Sequence, residues 1–381
     1  MCKNLKYIGF YDDINNHEEK RNYFLAATNK MDYIMSALIR LGYEVNIISP
    51  SWTANNKGIY SKKERILKEG VTLTLGTTFG ANNRVTKTLR ILNSQIWLLI
   101  KLLFSTKKNE DILVYHSLSL IPTILLAKKI KKFNLILEVE EIYQDVKNYS
   151  GIIKKLEFMI FEKADKFLFS TEKLHEIINF KSKPHCIIYG TYQVEKERNS
   201  SFGDESIHIV YAGVIDTHKG GAMAAVCAAE YLSSKYHVHI IGFGDKKDID
   251  MLKEKIVEIN TRSKCKITYD GLFKGEEYIQ FIQKCHIGLS TQTPNAKFTE
   301  SSFPSKILSY LSNGLRVVSA RLSSIENSSI SNDIVYYENQ NAIEIAQAIM
   351  SIDIHELIDS RKTITRLDEE FIVELNQLMK D

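Results

Sequence analysis

Short apolar runs alternate with longer amphipathic stretches along the whole chain. In the first half the runs are KYIGFY, YEVNIISP, VTLTLG, DILVYH, NLILEVE, KFLFS and CIIYG, rich in β-branched and aromatic residues. Helical patterns stand between several of them: MDYIMSALIRLG, ILNSQIWLLIKLLF, LIPTILLAKKIKKF and KKLEFMIFEKA. The second half repeats the scheme with IHIVYAG, YHVHIIGFG, CKITYDG, CHIGLST, LRVVSA and DIVYY, and with MAAVCAAEYL, DMLKEKIVEI, EEYIQFIQK and SKILSYLS as helices. Strands alternating with helices predict parallel sheets covered on both faces. Residues 192–206 are polar and unpatterned and read as a linker. The expected fold class is therefore α/β: two doubly wound, Rossmann-like domains, 1–191 and 207–365. An amphipathic helix at about 366–381 is expected to cross back onto the first.

In open parallel sheets, ligands sit outside the carboxyl ends of the strands. In the second half those ends carry Gly213, then Gly242, Phe243 and Gly244 with Asp245, then Gly271 with Leu272 and Phe273, then Ser290 to Thr293. In the first half they carry Gly9, His116 with Ser117, and Glu138 to Glu141. This geometry predicts a ligand cleft between the two domains.

The window FTESSFPSKILSYLSNGLRVVS, residues 298–319, has the most local chemistry. Proline suits the first position of a helix and glycine the position just past its end, so Pro304 opens a short helix and Gly314 closes it. The start of that helix offers unpaired N–H groups and the positive end of a dipole beside Ser302, Ser305 and Lys306, which makes a seat for phosphate.

Bulk properties narrow the setting. The chain has 381 residues, 44% hydrophobic and 25% charged, which is ample for two cores. Five scattered cysteines without a CxxC pair argue against a disulfide framework or a zinc site and fit a reducing cytoplasm. No signal-peptide pattern or membrane-spanning run is read from the sequence. Residues 1–200 hold 31 basic and 21 acidic side chains, a net +10, whereas the remainder carries −6. The run TKTLRILNSQIWLLIKLLFSTKK, with Trp97, Lys87, Arg90, Lys101, Lys107 and Lys108, has the make-up of a helix lying in an anionic membrane interface, or of a core helix. Lys128, Lys129, Lys131 and Lys132 add to the basic half. Basic residues without interleaved aromatic platforms do not favour nucleic acid.

The second half resembles the GT-B glycosyltransferases, in particular glycosyltransferase family 4. The matching order over about 130 residues is the YAG strand, Lys219-Gly220, HIIGFGD, YDGLF with Glu276-Glu277-Tyr278, and then the Phe303 to Val318 window. For the first half the likeness is one of architecture. The resemblance implies two domains facing a cleft and a nucleotide-sugar donor (UDP-, GDP- or dTDP-linked). It implies donor contacts at Gly213, Lys219, Gly242, Gly244, Leu272, Phe273, Glu300, Ser301, Ser302, Phe303, Ser305 and Lys306. No metal ligand and no obligatory cofactor are assigned. The chain departs from the family pattern at Val214, where an arginine is common, and at Ser301 and Ser309, where glutamates are usual.

Glycosyl transfer needs the acceptor hydroxyl deprotonated as it attacks, and a carboxylate at the cleft is a suitable base. EVEEIYQDV supplies several; on strand alternation Glu138 and Glu140 share a face and Glu141 lies in the loop. Glu140 or Glu141 is the expected base, with His116 as a further catalytic candidate. Asp248-Ile249-Asp250 spells a DxD motif but falls at a helix start and reads as helix-terminal charge. The absence of GxGxxG argues against a dinucleotide dehydrogenase. The expectation is a cytoplasmic, peripherally membrane-bound glycosyltransferase acting on a saccharide acceptor, lipid-linked, in surface polysaccharide synthesis. A non-catalytic partner subunit on the same scaffold and a nucleotide-sugar epimerase are the alternatives.

Overall fold

The computed structural model describes residues 3–13, 18–146, 149–198, 200–217, 220–292, 302–356 and 358–380. It divides into two compact units, Met1–Thr191 with Phe371–Asp381, and Tyr192–Glu370.

The first unit holds β1 (Lys3–Ile8), β2 (Tyr43–Ser49), β3 (Ile59–Tyr60), β4 (Lys63–Lys68), β5 (Val71–Leu75), β6 (Thr78–Phe79), β7 (Asp111–Tyr115), β8 (Asn134–Val139), β9 (Lys166–Phe169) and β10 (His185–Ile187). Eight of these form one sheet in the order β10-β9-β8-β7-β1-β2-β5-β4. All of its pairings are parallel except β4 with β5. Central strands such as β8 are apolar along nearly their whole length because helices cover both faces. The edge strand β4, KERILK, is mostly exposed and charged, which discourages pairing with another sheet. Chain order reverses between β7 and β1, so a topological switch point lies there. The last helix, Ser360–Leu378, adds buried Phe371 to this unit, its ring 5.8 Å from that of Tyr33.

The second unit holds β11 (Ile207–Ile215), β12 (Tyr236–Gly244), β13 (Lys266–Gly271), β14 (Ile287–Ser290), β15 (Arg316–Ala320) and β16 (Ile334–Tyr337). They form one all-parallel sheet in the order β13-β12-β11-β14-β15-β16. Residues 192–206 belong to this unit; the Glu195 N–H donates to the Ser312 carbonyl at 3.0 Å and the Arg198 N–H to Gln283 Oε1 at 2.9 Å. The switch point falls between β11 and β14. There β11 pairs with β12 over nine residues but with β14 over only two, Ile209↔Ile287 and Val210↔Gly288. Past that point the ladder stops and the strand ends part, which opens the sheet at its carboxyl edge.

Candidate functional site

Tyr310 fills the gap where β11 and β14 part. It sits on the helix Ser305–Ser312, fully buried, and its hydroxyl accepts from the Ala212 N–H at 2.8 Å and donates to the Leu289 carbonyl at 3.2 Å. One side chain thus satisfies two backbone groups that the broken ladder leaves without strand partners. The ring lies flat over Gly288, where a Cβ would stand 2.3 Å from Tyr310 Cγ. So glycine in β14 and tyrosine in the helix are one packing unit.

That unit anchors the helix so that its first turn faces a cavity of about 870 Å³ at the strand ends. A space of this size suits a nucleotide-sized ligand. The floor is the YAG end of β11, Tyr211 to Val214, with Ile241, Gly242 and Phe243 of β12. Gly242 has φ +140°, and a Cβ there would stand 1.8 Å from the Gly213 carbonyl oxygen; only glycine allows the two strand ends so close. One wall is Pro304, Ser305 and Lys306 at the helix start, and Leu272, Phe273 and Tyr278 line the cavity as well. Val214, Phe243 and Leu272 are about half exposed and give the cavity an apolar surface.

Among the described residues, Asp216 is the acidic member of the cavity lining and Lys306 its cation. Its Nζ lies 4.2 Å from the centre of the Tyr211 ring, a cation–π contact, and a Cβ on Gly213 would meet its Nζ and Cε at 3.1 Å. The small residue at 213 makes room for the ammonium group over the strand end. The same wall presents the open end of the helix. Pro304 stands at the N-cap position and, lacking a polar side chain, makes no cap bond to the first turn. An ammonium and a helix N-terminus in one wall suit an anion. Ser309, one turn further in, lines the cavity and hydrogen-bonds Tyr278 through its hydroxyl at 3.0 Å. A neutral hydroxyl pair occupies the place where the family resemblance has a carboxylate.

Gly213, Gly242, Leu272, Phe273, Phe303, Ser305 and Lys306 all line this cavity. Ser302 adjoins it in sequence, and Gly244 packs at the end of β12 against Ile215; neither lines it. Lys219, Glu300 and Ser301 lie outside the described residues. Thr291 and Gln292, from the strand end Ser290 to Thr293, line the cavity too, as do Tyr211 and Asp216, which the sequence pattern did not single out. Tyr211 stood in plain view within the YAG motif, but its role depends on a lysine 95 positions away.

The acidic candidates lie at the carboxyl end of β8 in the first unit, and they differ in burial and partners. Glu138 is fully buried and accepts from the Tyr7 hydroxyl on β1; its Oε1 has no hydrogen-bond partner. Burial first, then the neighbouring Glu140 charge, push its pKa up to about 8. It is a neutral acid in the sheet core at pH 7. Strand alternation predicted that Glu138 and Glu140 share a face, and although β8 ends at Val139 the two carboxyl groups remain neighbours. Glu140 turns to Lys30, at 2.6 Å, whose Nζ also donates to the Ile188 carbonyl at 2.7 Å. Glu141 is half-buried, and burial together with the Glu140 charge raises its pKa above the usual carboxylate range. His116 is buried between the rings of Tyr143 and Phe161, and neither ring nitrogen has a hydrogen-bond partner. Burial lowers its pKa to about 3, so it is a neutral imidazole in an aromatic slot.

No protein-family model matches the chain, and no curated protein matches it in sequence. Solved structures do match along its whole length. A glycosyltransferase from Rickettsia africae is 14% identical, with a TM-score of 0.64 over 100% of this chain and 99% of that one. The Anabaena protein HepE in complex with UDP is 11% identical, with a TM-score of 0.61 over 99% and 98%. The pneumococcal O-GlcNAc transferase GtfA in complex with UDP and GlcNAc is 10% identical, with a TM-score of 0.60 over 99% and 98%. These likenesses show the fold: the chain is built as the GT-B structures are, from two Rossmann-like parallel sheets.

Proposed function

We propose that this protein is a glycosyltransferase that moves a sugar from a nucleotide-sugar donor to a saccharide acceptor. The observation that carries the reading is the second-unit cavity, where Lys306 and the helix N-terminus converge on the strand ends beside Gly213. Structures of the same fold hold UDP, which supports a nucleoside diphosphate as the donor's leaving group. In the reaction, the bond from the anomeric carbon to the diphosphate oxygen breaks and a bond to the acceptor oxygen forms. The acceptor proton passes to a carboxylate, and the diphosphate keeps the bonding electron pair. Lys306 and the first-turn N–H groups stabilise the charge that develops on the diphosphate. Lys219, Glu300 and Ser301 are assigned to the same donor site on the family resemblance, as are Gly244 and Ser302. Of the two base candidates, Glu141 is favoured, because its raised pKa brings it nearer to working pH while Glu140 is held by Lys30.

A lipid-linked acceptor, in surface polysaccharide synthesis at the inner face of a membrane, is supported by the first unit's surface. The helix Arg84–Ser105 buries Leu98 and Leu102 but exposes Val85, Leu89, Leu92, Ile96, Ile100 and Phe104, the last 88% exposed. These positions recur every three or four residues and so form one stripe. Lys87 and Lys101 lie on the same helix, with Lys107 and Lys108 just beyond it. A groove of about 540 Å³ beside Leu126 and Met159 carries Lys129, Lys132 and Lys163 at its edge. Apolar side chains among cations suit an anionic bilayer surface. Among the described residues, no helix is long and apolar enough to cross a membrane.

The test is a transfer assay: the protein with UDP-, GDP- and dTDP-sugars and lipid-linked saccharides, following nucleoside diphosphate release and acceptor mass. Release coupled to a mass gain of one sugar is the expected result. Donor isomerised without acceptor would instead identify an epimerase. Donor bound but never consumed would favour the non-catalytic subunit, a reading that the neutral Ser309 in the cavity supports.

A further inference from the structure

Three histidines meet on one face of the second sheet, one on β11 and two on β12, and none of them lines the cavity described above. His208 and His237 are register partners on β11 and β12, and His239 follows His237 by two on the same face. All three are buried. One ring nitrogen of each lies within 4.8 Å of one from each of the others. Phe202 stacks over His208 and His239, with ring centres 4.1 and 4.7 Å away, and closes the cluster.

The hydrogen bonds decide which nitrogens are left over. His208 Nε2 pairs with Asp204 Oδ1 at 2.8 Å, and His239 Nδ1 with Asp270 Oδ2 at 3.0 Å. A carboxylate only accepts, so both of these nitrogens carry protons. His237 Nε2 lies 3.0 Å from Thr268 Oγ1, whose own proton goes to Asp270 Oδ2 at 2.9 Å; the histidine is again the donor. In the neutral rings, that leaves lone pairs on His208 Nδ1, His237 Nδ1 and His239 Nε2. Two of them, His208 Nδ1 and His239 Nε2, face each other at 2.9 Å. Two lone pairs at that distance repel, so a cation must stand between or beside them. A shared proton would need only two nitrogens. Here a third ring joins the group, its outer nitrogen anchored like the others. Histidines whose second nitrogen is held by a carboxylate or hydroxyl are the usual surroundings of a bound transition metal. Tetrahedral zinc with nitrogens at about 2.0–2.1 Å needs ligand atoms about 3.3 Å apart, a few tenths of an ångström beyond the observed contact.

We propose that His208, His237 and His239 form a site for a divalent transition metal of the zinc class, with Asp204, Asp270 and Thr268 as its outer partners. The site ties the 192–206 segment, through Phe202 and Asp204, to the sheet. It also adjoins the donor cavity: Phe281 packs edge-on against His239 at 5.3 Å and stacks at 4.6 Å on Phe273, which lines that cavity.

The test uses the full chain, stripped with a chelator and titrated with Co²⁺ alone, then with Zn²⁺ in competition. One equivalent of Co²⁺ should give the visible absorption of a four-coordinate ion, Zn²⁺ should displace it, and Zn²⁺ should raise the unfolding temperature. His237→Asn should abolish the absorption. Asp204→Asn alters an exposed side chain and leaves folding intact; it should weaken metal binding by about 10–100-fold. Folded wild-type protein that binds neither ion in equilibrium dialysis would overturn the proposal and leave a shared proton as the cation. Equal binding by wild type, His237→Asn and Asp204→Asn would overturn it as well.

Discussion

The ammonium group of Lys306 stands 4.2 Å from the centre of the Tyr211 ring, at the point where a glycine, Gly213, leaves it room. The tyrosine face holds the ammonium over the strand end through its π-electrons. A diphosphate arriving there meets a positioned cation. Lys306→Ala is therefore expected to weaken donor binding by about tenfold to a hundredfold, the worth of a charge-assisted hydrogen bond of about 1.5–3 kcal/mol. Calorimetric titration checks it, with circular dichroism to show the fold is kept.

Tyr310→Phe keeps the ring on Gly288 but leaves the Ala212 N–H and Leu289 carbonyl unsatisfied in a buried place. A loss of about 1–3 kcal/mol in urea unfolding is expected. Gly242→Ala should cost more, about 3 kcal/mol or above, because both its φ of +140° and the 1.8 Å approach to Gly213 oppose a Cβ. If Gly242→Ala proved milder than Tyr310→Phe, the account of the strand ends would be wrong.

Glu138 makes stability fall as pH rises. Its folded pKa, about 8, is above the ordinary 4.5, so between these values the folded chain holds a proton that the unfolded chain has released. Its contribution is fully present below about pH 4.5 and is lost as pH climbs through about 8. Glu138→Gln keeps an acceptor for Tyr7 and removes the ionisation. The variant should match wild type near pH 4.5 and exceed it at pH 9. Unfolding curves across this range that stay parallel would contradict the assignment.

The stripe on the helix Arg84–Ser105 gives a separate prediction. Replacing Leu92 and Ile96 by glutamate leaves the buried side intact. It should abolish sedimentation with vesicles rich in anionic lipid while leaving donor binding unchanged. Retained sedimentation would remove the membrane from the account.

Local signals made much of this legible in advance. The strand–helix alternation is a property of neighbouring residues, and so is the short helix after Pro304, observed at Ser305–Ser312 with Gly314 at φ +87° just beyond it. What sequence could not reveal depends on register between distant strands. Tyr310 and Gly288 acquire meaning only once β14 parts from β11. The H-x-H of His237 and His239 is visible on one strand, but His208 joins it only through pairing of β11 with β12. Alternation placed Glu138 and Glu140 on one side, and their carboxyl groups are neighbours, but it could not tell which of them is buried. Glu138 and Glu140 are therefore sorted by Tyr7 and Lys30, residues more than a hundred positions away.

The central claim, a nucleotide-sugar seat in the second unit, is tested most directly by calorimetric titration of the full chain with UDP, GDP and dTDP and their sugars. One of these nucleotides should bind at one site per chain, and Lys306→Ala should weaken that binding at least tenfold. Binding of none of them, or binding indifferent to Lys306, would contradict the account.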